Sequence, residues 1–376
     1  MFTSHSGRYK LCGTGAATRD FWAGSFILSW LSAVAMREVI GQCGDNREVI
    51  LFPKAEDHFL DWLEGKQTGI APAQGSVPNR FKADVSTAPK KFDPEKVVEA
   101  VQHAWETLAD TVYQQDFGML DFARRPNKDL WNRQIQSCWE MTWTLTDNIE
   151  DSTLLDRRKQ WRTYAAPEQA GVKCMMMDGW QELSGTPTHN AADLETFWKP
   201  LRESSGKMQS DLREGEYLCA IAFVKRRFPR HFETLKPTTM PSGWPLRGWK
   251  VDEGRPSVTY MAAVPWLTHV IEHANHSGQV EQRMQDFHHA AHTLTEEYGE
   301  WRSDIRCIAE AMSKKPREGK DKKWKALNGD VFFTSVLKHR FIPDTREKQQ
   351  AREALTQLRK LQKRRGLAAL RRFTRC

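Results

Sequence analysis

His269-Val270-Ile271-Glu272-His273 sets two imidazoles four residues apart with a carboxylate between them, so the three side chains share one face if the segment is helical. This is the H-x-x-E-H spacing of inverted zincins, in which the histidines hold zinc and the glutamate acts as base. The chemistry implied is metal-assisted hydrolysis. His276, His288, His289 and His292 follow nearby, although no third ligand is identifiable and five residues match such a pattern easily by chance. A second group, Lys225, Arg226, Arg227 and Arg230, suits contact with phosphate or an acidic neighbour; a solvated helix face has the same composition. A third lies at the C-terminus. Residues 345–376 contain 8 Arg, 3 Lys and 2 Glu, a local charge of +9, whereas the first 344 residues sum to −1. The chain's overall +8 therefore belongs to one helix and tail, which is compatible with RNA binding there and not with a nucleic-acid surface over the whole protein.

These groups need elements to position them. Phe21 to about Gly41 is apolar enough and long enough for a buried helix. Its apolar stretch, Phe21 to Met36, is shorter than the roughly 20 residues a bilayer span needs, holds serines and is followed directly by Arg37. Val49-Ile50-Leu51-Phe52 before Pro53, and the alternating Arg80 to Val85, read as strands. Asp93-Pro94 is a helix start, with Asp as N-cap and Pro in the first turn. Val97, Val101, Ala104, Leu108 and Val112 then define one apolar face. Trp139, Met141, Trp143 and Leu145 alternate with polar residues, a further strand. With one more strand in front this order becomes a βαββαβ ferredoxin-like unit. Only Tyr9 to Cys12 offers that strand, and weakly. Beyond residue 150 the sequence turns helical and charged. A loop around Gly243-Trp244-Pro245 is expected to pack, Lys314 to Lys325 to be an exposed connector, and Ala354, Leu355, Leu358 and Leu361 to form the apolar side of a last helix.

With 39% hydrophobic and 28% charged residues and 15 tryptophans, 376 residues are ordinary for a folded chain with a sizeable core. Seven scattered cysteines do not make a disulfide framework, and no secretory signal is visible, so a reducing cytoplasm and no membrane are expected.

Five segments in order resemble the large subunit of type III-B CRISPR effector complexes, the Cas-ten or Cmr-two family. They are Thr18-Arg19-Asp20-Phe21-Trp22-Ala23-Gly24-Ser25; Val49 to Pro53; Gly75 to Phe81; Glu216 to Arg226; and Arg255 to Thr259 with Pro265-Trp266. The resemblance implies an α+β fold. Residues 1–150 would be an incomplete ferredoxin-like palm lacking a clear first strand, and residues 151–376 a mostly helical domain with a degenerate zinc site and the basic C-terminal helix. Family members carry a Gly-Gly-Asp-Asp motif in a second palm, which uses ATP with divalent metal to make cyclic oligoadenylate, and many carry a His-Asp nuclease. Neither motif occurs here; Gly329-Asp330 is a lone pair best read as a turn. The expectation is a truncated or frame-disrupted product without cofactor.

The family's helical domain holds structural zinc through two Cys-x-x-Cys pairs. Here Cys174-Met175-Met176-Met177 and Cys219-Ala220-Ile221-Ala222 each keep one cysteine, half of the four-ligand set zinc wants. Two buried free thiols are expected, with Met175 to Met177 packing around them. Arg80, by fold analogy, and Lys225 and Arg226, as part of the basic group, are the candidate contacts to nucleic acid or a partner. Arg19 and Asp20 are read as helix cap and internal ion pair rather than nucleotide contacts. The implied function is a scaffold subunit bound to other type III-B effector subunits, with guide RNA and target RNA nearby. A zinc hydrolase on His269, Glu272 and His273, and a stand-alone RNA-binding protein using the C-terminal tail, are the alternatives.

Overall fold

A computed structural model describes residues 2–6, 18–121, 125–148, 151, 153–160, 168–188, 190–251, 258–292, 329–339 and 345–362. The chain forms two compact units, one of residues 1–16 and 20–251, the other of residues 252–376 with 17–19. The fold mixes helix and sheet, as expected of an α+β chain.

The first unit is built on a four-stranded antiparallel sheet: β1 (Phe2–Ser6), β2 (Ile50–Phe52), β3 (Arg80–Ala83) and β4 (Trp139–Trp143), in the order β2-β3-β1-β4. β1 is an inner strand. It pairs with β3 (Phe2↔Phe81, Thr3↔Arg80) and along its full length with β4, from Phe2↔Trp143 to Ser6↔Trp139. The expected leading strand therefore exists, but earlier than Tyr9–Cys12, a segment outside the described residues. Thr3-Ser4-His5-Ser6 carries no apolar alternation, so its strand character comes from having a neighbour on each side rather than from propensity.

Long helices connect the strands. α1 (Thr18–Gln42) is buried nearly all round, with Phe26, Trp30, Val34 and Met36 inaccessible, the pattern of a core helix. Its length and composition alone would suffice to cross a membrane, yet 89% of its apolar window is buried inside this protein. Its serines are satisfied there: Ser32 donates to the Leu28 carbonyl at 2.8 Å, and Ser29 Oγ accepts from the Val77 N–H. α2 (Asp57–Leu63) follows β2. α3 (Pro94–Phe117) starts as expected, with Asp93 accepting from the Glu95 N–H at 3.0 Å, and buries Val97, Val101, Ala104, Leu108 and Val112. α4 (Lys128–Gln136) precedes β4, and α5 (Thr153–Gln160) follows it.

Residues beyond 150 join this same core. α6 (Ala191–Glu203), α7 (Gly206–Asp211) and α8 (Ala220–His231) are followed by a small hairpin of β5 (Thr238–Thr239) and β6 (Pro245–Leu246). Phe223 of α8 lies 4.9 Å from Phe117, and Phe228 stacks 5.6 Å from Phe26. The loop tryptophans pack as expected: Trp244 donates to Glu38 at 2.9 Å, and Trp249 to the Pro72 carbonyl at 2.9 Å. The compact units part after Val251, and α8 packs against both α1 and α3 within the first.

The second unit contains α9 (Val258–His276), α10 (Gly278–His292), α11 (Thr334–His339) and α12 (Thr345–Gln362). Its core joins Tyr260, Leu267, Val270 and Phe287 to Ala354, Leu358 and Leu361 of α12, the apolar side expected from sequence. Gly329 opens a 3-10 turn against α9, where a Cβ would come within 2.0 Å of the Tyr260 nitrogen. Close packing accounts for this glycine. The expected connector Lys314–Lys325 and residues 363–376 of the basic tail lie outside the described residues.

Candidate functional site

α8 carries the basic group singled out from sequence, and the fold turns it inward. Every residue from Ala220 to Phe228 is buried, Lys225 completely. Cations in such a place need counter-charges and full hydrogen bonding. Arg226 finds both. Its Nε and Nη2 clasp Asp20 of α1 at 2.6 and 2.9 Å; its Nη1 donates to Glu216 and to the Asp211 carbonyl at 2.8 Å each; Nη2 also reaches Met176 Sδ at 3.0 Å. All five guanidinium N–H groups are engaged. Burial lowers the Arg226 pKa, but Asp20 and Glu216 outweigh it and raise the value above that of a free guanidinium.

Arg227 repeats the arrangement, forking onto Asp116 of α3 at 2.7 and 2.8 Å and donating to Asp211 at 2.5 Å. Arg230 also binds Asp211, and His231 lies 2.8 Å from Asp116. Burial opposes ionisation of Asp116; hydrogen bonds from Arg227 and His231 prevail and hold its carboxyl below the usual range. Lys225 and Arg226, expected as contacts to nucleic acid or a partner, are placed in the interior: both side chains are buried, and the Arg226 guanidinium is held by Asp20 of α1 and by Glu216 of the segment before α8. The expected internal role of Asp20 is what the geometry gives.

Arg80, at the start of β3, remains partly accessible and makes a 2.5 Å ion pair with Asp156 of α5. Of the three candidate contacts it alone has a partly exposed side chain.

The Cys174 and Cys219 side chains lie within hydrogen-bond reach of each other. Both are buried free thiols. Cys174 sits in a loop tied down by its N–H to the Trp180 carbonyl at 2.7 Å and by the Met175 N–H to the Tyr217 carbonyl at 2.9 Å; Cys219 is the N-cap of α8. Burial pushes the Cys174 thiol up, but the Cys219 thiol and backbone N–H groups of Cys219, Met176 and Met177 outweigh it, so its pKa falls. Burial and the Cys174 sulfur push Cys219 well up. Burial alone pushes Cys138 up. Met176 and Met177 pack inside, whereas Met175 is 64% exposed, contrary to expectation, since its N–H faces the interior and turns its side chain outward. Two thiols with methionine and alanine at the other two positions do not fit tetrahedral zinc. Among the described residues no group of three or more His, Cys, Asp or Glu side chains converges as metal ligands.

In the second unit, His269 and His273 face each other across one turn of α9 with ring centroids 4.2 Å apart. His273 Nδ1 lies 3.0 Å from the His269 carbonyl oxygen.

Residues 10–110 match the family model of the N-terminal part of the CRISPR-associated protein Cmr2. This segment is Cmr2-like. It runs from before α1 through β2, α2 and β3 into α3, so the Cmr2-like stretch supplies Asp20 but neither Asp116 nor the α8 cations. A chain of a type III-B Cmr-beta complex, seen by cryo-electron microscopy in its apo state, is similar at 16% identity with a TM-score of 0.43. The alignment covers 73% of this chain and 36% of that one. No curated protein sequence matches.

Sequence reasoning missed Asp116, Asp211, Glu216 and His231 as members of the charge cluster. Asp116 left a trace: it continues the apolar-face spacing of α3 four residues after Val112, where a carboxylate signals a buried partner. Asp211 ends the short helix α7 and Glu216 lies in the loop before α8, neither on an apolar register that would announce it.

Proposed function

We propose that this chain is a Cmr2-like scaffold subunit of a type III-B CRISPR effector complex. The observation that carries the reading is the Cmr2 family match over residues 10–110, which coincides with the α1–β2–α2–β3 portion of the sheet unit. The sheet order β2-β3-β1-β4, with β1 and β3 inside, supports reading residues 1–150 as a ferredoxin-like palm. Its partners are other type III-B subunits, with guide RNA and target RNA reached through them. Arg80, partly accessible at the start of β3, is the residue proposed to touch a partner or RNA.

Cyclase and nuclease chemistry are proposed to be absent from this chain, since two-metal phosphoryl transfer needs closely placed carboxylates and the sequence holds neither Gly-Gly-Asp-Asp nor His-Asp. Structural zinc is proposed to be replaced by packing around the Cys174–Cys219 pair. Affinity capture of the tagged chain from cells co-expressing the other subunits and a guide RNA tests the function. Stoichiometric recovery of those subunits is expected; recovery of the chain alone contradicts it.

A further inference from the structure

We propose that α12 binds duplex RNA through its phosphates, using a stripe of exposed cations and without reading base sequence. α12 sets Ala354, Leu358 and Leu361 into the core of the second unit and turns Arg352, Thr356, Arg359 and Lys360 outward. At i, i+4, i+7 and i+8 these four share one face. A rise of 1.5 Å per residue separates Arg352 from Arg359 by about 10 Å along the axis, so the cations form a line rather than a point. A second helix extends it: Arg283 of α10 donates from Nη1 to the Lys360 carbonyl at 3.4 Å. Among the described residues no carboxylate pairs with these four cations, whereas the arginines of α8 are each met by one. Glu353, at the flank of the face, accepts instead from Gln357 Nε2 at 2.6 Å. The helix dipole accounts for cations in the last turn, Arg359 and Lys360, but not for Arg352 two turns earlier.

The same surface limits its ligand. A helix lying on a membrane gives its apolar face to the lipid, but here that face fills the core of the second unit. No aromatic residue occurs on α12, so unpaired bases have nothing there to stack on, which favours a duplex over a single strand. Contacts to phosphate set position and carry no sequence information. The choice of RNA over DNA rests on the type III-B reading; the phosphate chemistry rests on the surface itself.

The test is fluorescence anisotropy of a labelled RNA duplex titrated with the full chain over a range of salt concentrations. Each cation on a phosphate adds about 1 to the slope of log affinity against log salt. The combined variant Arg352→Glu, Arg359→Glu, Lys360→Glu should therefore show a slope shallower by about 3 and affinity weaker by at least ~10-fold. Lys90→Glu, Lys91→Glu, Lys96→Glu makes the same change of net charge at exposed positions of the first unit and should keep both slope and affinity. Circular dichroism and melting check each fold. Should the α12 variant misfold, Arg352→Ala alone replaces it, with a slope shallower by about 1. Absence of RNA binding in the wild type, equal loss in the two triple variants, or an unchanged slope on reversal of α12 overturns the proposal. So does tighter binding of a single strand, a DNA duplex or anionic lipid vesicles. Failure of the scaffold reading is told apart by subunit capture, which the α12 reversal leaves intact.

Discussion

Arg226 clasps Asp20, 206 residues earlier in the chain, through two parallel hydrogen bonds of 2.6 and 2.9 Å in the protein interior. This pair joins α8 to the start of α1. Removing one partner breaks a buried, doubly hydrogen-bonded ion pair, which costs about 3–5 kcal/mol. Arg226→Ala or Asp20→Ala should therefore lower unfolding free energy by that amount in urea titrations, and Asp20→Leu with Arg226→Met should cost less than either. A loss below about 1 kcal/mol, as at an exposed pair, would contradict the burial argument.

Acid should unfold the first unit through Asp116. Its folded-state pKa lies below the ordinary 3.8, so the ionised carboxylate favours the native state. That contribution is fully present above pH 3.8 and is lost as pH falls through the lower folded value. Melting temperature should drop as pH is lowered below about 4, the ordinary aspartate range. Asp116→Asn should melt lower at neutral pH and lose less on acidification; an identical pH profile would refute the assignment.

The Cys174–Cys219 pair carries a third expectation. Reduced protein purified without added metal should melt at the same temperature with and without a strong chelator, because two thiols lack the ligands for structural zinc. Stoichiometric zinc whose removal unfolds the chain would overturn this.

The C-terminal helix separates scaffold from stand-alone RNA binder. Ala354, Leu358 and Leu361 of α12 are buried, so deleting residues 345–376 would strip the core of the second unit. Leu358→Ala alone should cost about 2–5 kcal/mol. Reversing the exposed Arg352, Arg359 and Lys360 to glutamate leaves that core intact. Subunit association should survive this triple reversal; its loss, with RNA binding lost in parallel, would favour the alternative.

How much was legible follows from where the signal resides. The caps and apolar faces of α3 and α12 are local and periodic, so Asp93-Pro94 and Ala354-Leu358-Leu361 announced themselves. β1 did not, because a polar strand is made by its neighbours Arg80–Phe81 and Trp139–Trp143. The basic run of α8 was ambiguous for a related reason: whether Arg226 and Arg227 face water or carboxylates depends on Asp20, Asp116 and Asp211 arriving from other segments. Cys174 and Cys219 were paired through the family resemblance, and their chemistry was legible from the two positions that are not cysteine.

Native mass spectrometry of the chain mixed with the remaining type III-B subunits and guide RNA tests the central claim most directly. The account predicts an assembly heavier by the 43.5 kDa of one copy of this chain. A spectrum in which the assembly keeps its mass and the chain flies alone would contradict it.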